Sequence, residues 1–431
     1  MTMAYLMFGL LFVLLVTGIP IGMCLGLATI ITLIIYGNAL TFPMVAQRMF
    51  TTLDQFPLMA VPFFILAGNL MERGGISGRL IAFMKMLVGR LPATSPTITT
   101  ASSAFFGAIS GSNPATVAAI GGIMVPSMIR TGYKPEEAAA IAASSGTLGV
   151  VIPPSIPMVT YGVVASVSVG ALFMGGVIPG LMLASAMIIV HMIKYRHVET
   201  GKVEKLTWKQ KMRVSLDAIW SLGMPLIILG GIYGGVFTPT EAAAVACFYS
   251  FIVGTFIYKD LKMNELYDIL KRSVKGTATA TYVLCVAAPF AWLMTSSGLP
   301  SLVANMLLSA ISSKYVIFLI INVLLLFLGC FIDTVSIILL TTPLLLPIAA
   351  TFDLSPVALG VIIVMNASIG MITPPFATNL FVANSIAGLK SIGPISMKVV
   401  PYLFAEIAVL LICTYFSDII MLIPRALGLA S

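Results

Sequence analysis

The chain has 431 residues, 59% of them hydrophobic and 9% charged, with a mean hydropathy of +1.08 and a net charge of +8. A soluble domain carries roughly 25% charged residues, so this composition excludes a water-soluble globule and makes lipid the solvent. A net positive charge would suggest a nucleic-acid partner in a soluble chain; here it reads as a topology signal, and no nucleic acid is expected.

Residues 4–36 predict one long bent crossing or two short ones. They lack a basic leader and a clear cleavage site, so they are expected to stay in the mature protein. A crossing follows at 56–71 and an amphipathic arm at 76–91. A helical pair at 96–129 meets near Ser112, with arms too short to span a bilayer of about 20 residues' thickness. Crossings at 136–166 and 169–193 lead past His191 and His197, read as interfacial, into a basic linker at 194–213. Beyond it come crossings at 214–236, 240–258 and 277–297, and a surface arm at 300–314. A second short pair at 315–351 meets near Asp333, before crossings at 356–388 and 392–424. Cys24, Cys247, Cys285, Cys330 and Cys413 lie in apolar segments without metal-type spacing and read as small core residues.

One proline pattern occurs twice. Pro126, Pro135, Pro153 and Pro154 coincide with Pro347, Pro356, Pro374 and Pro375 after a shift of 221, which also puts Gly149 on Gly370 and Ile141 on Ile362. Proline lacks an N–H and clashes with the preceding helical turn. Both halves are therefore expected to carry a helix broken at its proline pair. The charges orient the copies. With these crossings, all but three of the 23 Lys and Arg residues fall on one side, the exceptions being Arg48, Lys314 and Arg425. That side should be cytoplasmic. Pro126 then lies inside and Pro347 outside, so the repeats, 1–193 and 214–431, are inverted. The predicted fold is an all-α polytopic membrane protein, with two re-entrant hairpins (96–129 and 315–351) and two broken helices (136–166 and 356–388).

The first hairpin tip, Gly107-Ala-Ile-Ser110-Gly111-Ser112-Asn113-Pro114-Ala-Thr116, offers hydroxyls, an amide and free carbonyls, hard oxygen ligands suited to a small alkali cation. The plain alternative is a membrane turn with no ligand. Its partner, running from Ser144 and Ser145 to Gly149, Pro153, Pro154 and Ser155, is expected to unwind at Gly149 and the prolines. Such a break frees carbonyls for a cation and N–H groups for an anion. In the second copy the break reads Asn366-Ala-Ser368-Ile-Gly370-Met-Ile-Thr373-Pro374-Pro375-Phe-Ala-Thr378-Asn379 and the tip reads Gly329-Cys-Phe-Ile-Asp333-Thr334-Val-Ser336. An intramembrane carboxylate is costly and functional by default. Asp333 is open to three roles: sodium ligand, proton carrier or helix cap. Glu406, Asp217 and Glu241 are weaker candidates, Glu241 reading as an N-terminal helix residue after a Thr238 cap. No nucleotide-binding loop and no acid–base–nucleophile set occurs, which argues against ATP hydrolysis and against an enzyme.

The segment 106–121, with Ile-Pro-Pro-Ser at 152–155, Phe-Thr-Pro-Thr-Glu-Ala at 237–242 and Ile-Thr-Pro-Pro at 372–375, resembles the large membrane subunit of tripartite ATP-independent periplasmic (TRAP) transporters. The likeness covers nearly the whole chain in the family's usual motif order. It implies a sodium-driven, elevator-type importer of the bacterial inner membrane. It also implies a small membrane subunit of about four helices and a periplasmic binding protein that delivers a carboxylate. Sodium would be the coupling ion, with no other cofactor. By that resemblance Ser110, Ser112, Asn113, Ser145 and Gly149 form one sodium site, and Asp333, Thr334, Gly370 and Thr373 the other. Substrate would sit near Ser155, Thr378 and Asn379. The chain departs from the family pattern after Asp333, where Thr-Val-Ser-Ile replaces an early proline. The expected function is sodium-coupled import of an organic anion, first a C4-dicarboxylate. A stand-alone sodium–anion symporter and a channel are the competing classes.

Overall fold

The computed structural model describes residues 2–36, 41–89, 91–198, 207–311, 313–375 and 377–429. Arg90 and the middle of the basic linker, with Lys202 and Lys205, lie outside them. Among the described residues the regular structure is helical throughout. Seven helices are long and apolar enough to cross a membrane, or up to eight if Phe42–Leu53 and Phe56–Arg73, bent by 60°, count as one span. A chain in lipid must satisfy its backbone internally, and helices do this within one segment. The protein is thus a multi-pass membrane protein.

Local signals set several helix starts. Thr207 and Gln210 form a reciprocal cap before Trp208–Tyr233. Thr238 and Glu241 do the same before Pro239–Ile252, with Pro239 at the first helical position, as the sequence predicts. Residues 4–36 resolve as two short helices, Thr2–Val16 and Ile21–Tyr36, packed on each other. They part at Gly18, whose φ of +80° suits glycine.

The two predicted hairpins are helix–turn–helix units. The first runs through Thr94–Ser110, turns at Gly111 and Ser112, and returns through Asn113–Thr116, a π-helical turn at Val117–Gly121 and Gly122–Arg130. The second runs through Lys314–Gly329, turns at residues 330–333, and returns through Thr334–Thr351. This last arm differs from expectation: its 18 residues are long and apolar enough to span on their own, despite Pro343 and Pro347 within it.

Both broken helices are present. The first comprises Pro135–Ser145, a short turn Leu148–Val151, and Ile156–Ala165. The second comprises Pro356–Gly370 and Thr378–Ala387. Pro153-Pro154 and Pro374-Pro375 are both cis. The unwinding point of the first was expected at Gly149. Gly149 is instead helical, its N–H bonded to Gly146 O at 3.0 Å, and the chain opens only at Ile152. The reason for glycine is steric. A Cβ there would lie 2.6 Å from both the Ser112 carbonyl oxygen and Thr116 Oγ1.

These units cross at paired glycines. A Cβ on Gly107 would meet Gly149 Cα at 3.0 Å, and one on Gly329 would meet Gly370 Cα at 2.8 Å. Small residues allow helix backbones to approach this closely. A polar clasp repeats the match beside each crossing. Thr100 Oγ1 lies 2.8 Å from Ser145 Oγ, and Asn366 Nδ2 donates to Asn322 Oδ1 at 2.8 Å. Every residue from Val357 to Gly370 is buried, so the broken helices form the centre of the molecule.

The crossing predicts a sharp steric effect. Gly370→Ala would place a Cβ 2.6 Å from the Gly329 carbonyl carbon. Overpacking of this kind costs about 1–3 kcal/mol, so the melting temperature of the purified protein should fall. Gly122→Ala, with nothing within 4 Å of the added carbon, should leave it unchanged or raise it.

Candidate functional site

The first tip gathers oxygen atoms. Ser110 Oγ lies 2.9 Å from Thr116 Oγ1, and Thr116 Oγ1 donates to Ser112 O at 2.8 Å. Ser110 Oγ is also 3.3 Å from Ser112 O. Gly111, in the left-handed region at φ +58°, brings the turn against the break: a Cβ there would be 3.0 Å from Pro154 O. Two hydroxyls and the Ser112 carbonyl thus converge at the turn, and the Pro154 carbonyl of the broken helix lies against Gly111. Glycine permits both approaches, at Gly111 and Gly149. Such oxygens can replace part of the water shell of an alkali cation.

Asn113 opens the returning arm and points across the molecular centre. It is fully buried, and its Nδ2 donates to Ser368 Oγ at 2.7 Å and to Met371 Sδ at 3.4 Å. Ser368 in turn donates to Thr147 O at 2.7 Å. Thr334, the counterpart of Asn113 in the second hairpin, also donates to Met371 Sδ at 3.4 Å. The two hairpin tips therefore meet on the second broken helix. Among the described residues, Asn113 Oδ1 and Asn379 Oδ1 are buried without a partner, and each retains acceptor capacity toward a ligand.

Asp333 caps its helix. Its Oδ1 accepts from Val335 N and Ser336 N, both at 3.1 Å, and its Oδ2 accepts from Ser336 Oγ at 2.5 Å. Ser112 occupies the equivalent position 221 residues earlier and also precedes a returning helix in extended conformation. Of the three roles open to Asp333, this geometry fills the cap. Gly370 packs on Gly329, while Thr373 Oγ1 is turned back onto Ile369 O at 2.9 Å.

The remaining predicted residues separate. Ser145 is drawn away from the tip, its hydroxyl held by Thr100. Ser155 is buried and caps Ile156–Ala165 by accepting from Met158 N at 3.3 Å. Asn379 ties the two broken helices together, its Nδ2 donating to Ala143 O at 3.2 Å, while Thr378 is exposed. His191 was expected at the interface, yet it is fully buried. Its ring is satisfied inside the protein, with Nε2 2.8 Å from Thr100 Oγ1 and Nδ1 3.0 Å from Tyr402 OH. His197 is exposed, as expected.

Sequence reasoning passed over Thr116, Pro154 O, Thr147, Ser368 and Met371 as site residues. A signal for two of them was present: the shift that aligns the prolines also aligns Thr147 with Ser368. Applied to polar residues, it pairs Asn113 with Thr334 and Ser112 with Asp333.

Comparison with known proteins fits this arrangement. Residues 8–419 match the family model "Tripartite ATP-independent periplasmic transporter, DctM component". The chain belongs to the DctM family. It is 37% identical over 440 residues to the C4-dicarboxylate TRAP transporter large permease protein DctM of Rhodobacter capsulatus, covering 99% of this chain and all of that one. It is 42% identical over 416 residues to the isethionate TRAP transporter permease protein DctMQ of Oleidesulfovibrio alaskensis, covering 96% of this chain but only 65% of that longer relative. Identity to the sialic acid TRAP transporter large permease protein SiaM of Vibrio cholerae is 34%, over 97% of this chain and 96% of that one. The fold resembles the Alcanivorax borkumensis YdaH transporter, with a TM-score of 0.63, 15% identity and 91% coverage of both chains. The DctM family is one of transport permeases, not of enzymes.

The capping role of Asp333 has its own test. Asparagine caps nearly as well as aspartate, whereas alanine costs about 0.5–2 kcal/mol. Thermal denaturation should therefore leave Asp333→Asn near the parent and lower Asp333→Ala. Equal loss in both variants would mean that the charge, rather than the cap, holds this turn.

Proposed function

We propose that this DctM-family chain is the large permease of a sodium-coupled importer of an organic anion in the bacterial inner membrane, with a C4-dicarboxylate as first substrate. The observation that carries the reading is the oxygen-lined crossing of a hairpin turn and a broken helix, with a second crossing built alike 221 residues later. The first crossing would hold sodium through Ser110, Ser112 O, Thr116 and Pro154 O, with Asn113 Oδ1 beside it. Asp333, Thr334, Gly370 and Thr373 mark the second sodium region, where Asp333 fixes the turn. The substrate carboxylate would use the polar groups of Ser155, Thr378 and Asn379 at the breaks. The hairpins would be re-entrant from opposite faces, as the charge map supports, and would move with the broken helices as an elevator. A small membrane subunit of about four helices and a periplasmic binding protein would complete the assembly.

A route for the anion fits the same reading. A cavity of about 920 Å³ lies between the helix Thr41–Leu53, the helix Leu266–Ser296, the returning arm of the second hairpin and the end of the first broken helix at Ser166. By the charge map this is the outer side. Arg48 supplies the only charged side chain among its lining residues and stands 6.0 Å from the Trp292 ring centroid. A cation on this wall would draw anions toward the crossings.

Proteoliposomes containing the permease and its small subunit, supplied with loaded binding protein, test the function. An inward sodium gradient should drive uptake above equilibrium, and replacing sodium by potassium should stop it. Undiminished uptake in potassium would defeat sodium coupling, and uptake without binding protein would favour a stand-alone symporter. An exposed charge contributes up to about 1 kcal/mol, so Arg48→Gln should raise KM by up to about fivefold at low ionic strength and leave kcat unchanged. A loss confined to kcat would remove Arg48 from the anion route.

A further inference from the structure

Glu406 stands within the helix Gly393–Tyr415, and neither sodium nor substrate has a use for it in the reading above. It is fully buried, and among the described residues neither carboxyl oxygen has a hydrogen-bond partner. The side chain of Thr147, between Pro135–Ser145 and Leu148–Val151 of the first broken helix, lies beside it. The Thr147 hydroxyl has already given its hydrogen to Ser144 O at 2.7 Å, and so has only lone pairs left to offer.

The surroundings bring no compensating charge. From the helix Val169–Tyr195 come His191, Lys194 and Tyr195; from Pro135–Ser145, Glu136 and Glu137. From Asp418–Ala426 come Asp418 and Arg425, from Lys314–Gly329 Lys314 and Tyr315, and from its own helix Lys398, Tyr402 and Tyr415. Pro356–Gly370 and Thr378–Ala387, also packed on it, have no charged residue. Lys398 is paired with Glu137 at 3.0 Å and Arg425 with Asp418 at 2.6 Å. Lys194 lies over the Tyr195 and Tyr402 rings, at 5.0 and 5.8 Å. Among the described residues, no cation forms an ion pair with Glu406. An ionised carboxylate in so dry and unpaired a place is strongly disfavoured, and such a group takes up a proton instead.

A polar chain adjoins the site. Tyr402, one turn before Glu406 on the same buried face, reaches His191, which reaches Thr100 and then Ser145, two residues before Thr147. The carbonyl of Thr147 receives Ser368, which receives Asn113 from the first hairpin tip. Ionisation of Glu406 would therefore place a charge beside Thr147 of the first broken helix, whose carbonyl the second broken helix contacts through Ser368.

We propose that Glu406 is a proton-binding site, occupied in this conformation. A neutral carboxyl fits this dry, unpaired place and an ionised one does not, so raising the pH until Glu406 ionises should destabilise the fold.

Infrared difference spectroscopy of the purified chain in lipid nanodiscs tests this without sodium or substrate. Wild type minus Glu406→Gln should show the C=O band of a protonated carboxylic acid at neutral pH, shifting in D2O. Glu406→Asp should keep such a band at a changed frequency, which preserves the test should the Gln variant not fold. Melting temperature should fall for wild type as pH is raised, and the Gln variant, a neutral isostere, should lose that dependence. Carboxylate bands at neutral pH in place of the acid band would overturn the proposal. So would parallel pH profiles for wild type and Glu406→Gln.

Discussion

Backbone N–H and C=O groups freed inside a membrane must be satisfied by protein, because lipid offers them nothing. The breaks at residues 152–155 and 371–375 free such groups in deeply buried helices of the chain. Much of the central architecture answers that constraint. Each break is covered by a hairpin, and each hairpin turn needs the same cover. Ser155 and Asp333 cap the helices that leave a break and a turn. Close approach matters more than bulk here, which is why glycines stand at both crossings.

Two halves built this way become one unit through a small number of polar bonds. Asn113 reaches Ser368, Ser368 reaches Thr147, and Asn379 reaches Ala143, each spanning from one half of the sequence to the other. Thr334 and Asn113 share Met371. Buried polar bonds of this kind leave costly unsatisfied groups when broken. These bonds fasten both hairpins and both broken helices to one another.

Much of this order is legible in the sequence, because proline and charge act locally. The paired prolines mark both breaks, Thr238 and Glu241 mark a helix start, and the polar runs mark both turns. Errors arise where tertiary contact decides. Gly149 reads as a point of unwinding, but only the approach of Ser112 and Thr116 reveals it as a helical residue kept small. His191 reads as interfacial from its place near a helix end, while Tyr402, more than two hundred residues away, is what allows its burial. Ser145 reads as a tip residue, yet Thr100 claims its hydroxyl. Hydrogen-bond partners distant in sequence leave no local trace, although the repeat offset exposes some of them.

The central claim is that the first turn and the first break together hold sodium. Equilibrium sodium binding to the purified chain, measured calorimetrically in choline buffer, tests it most directly by comparing wild type with Thr116→Val, which keeps the shape and removes one oxygen. A group that bonds to a charge contributes about 1.5–3 kcal/mol, so affinity should fall by roughly tenfold or more, while loss of the bonds to Ser110 and Ser112 O lowers the melting temperature of a protein that still folds. Unaltered sodium affinity in a folded Thr116→Val protein would contradict the account.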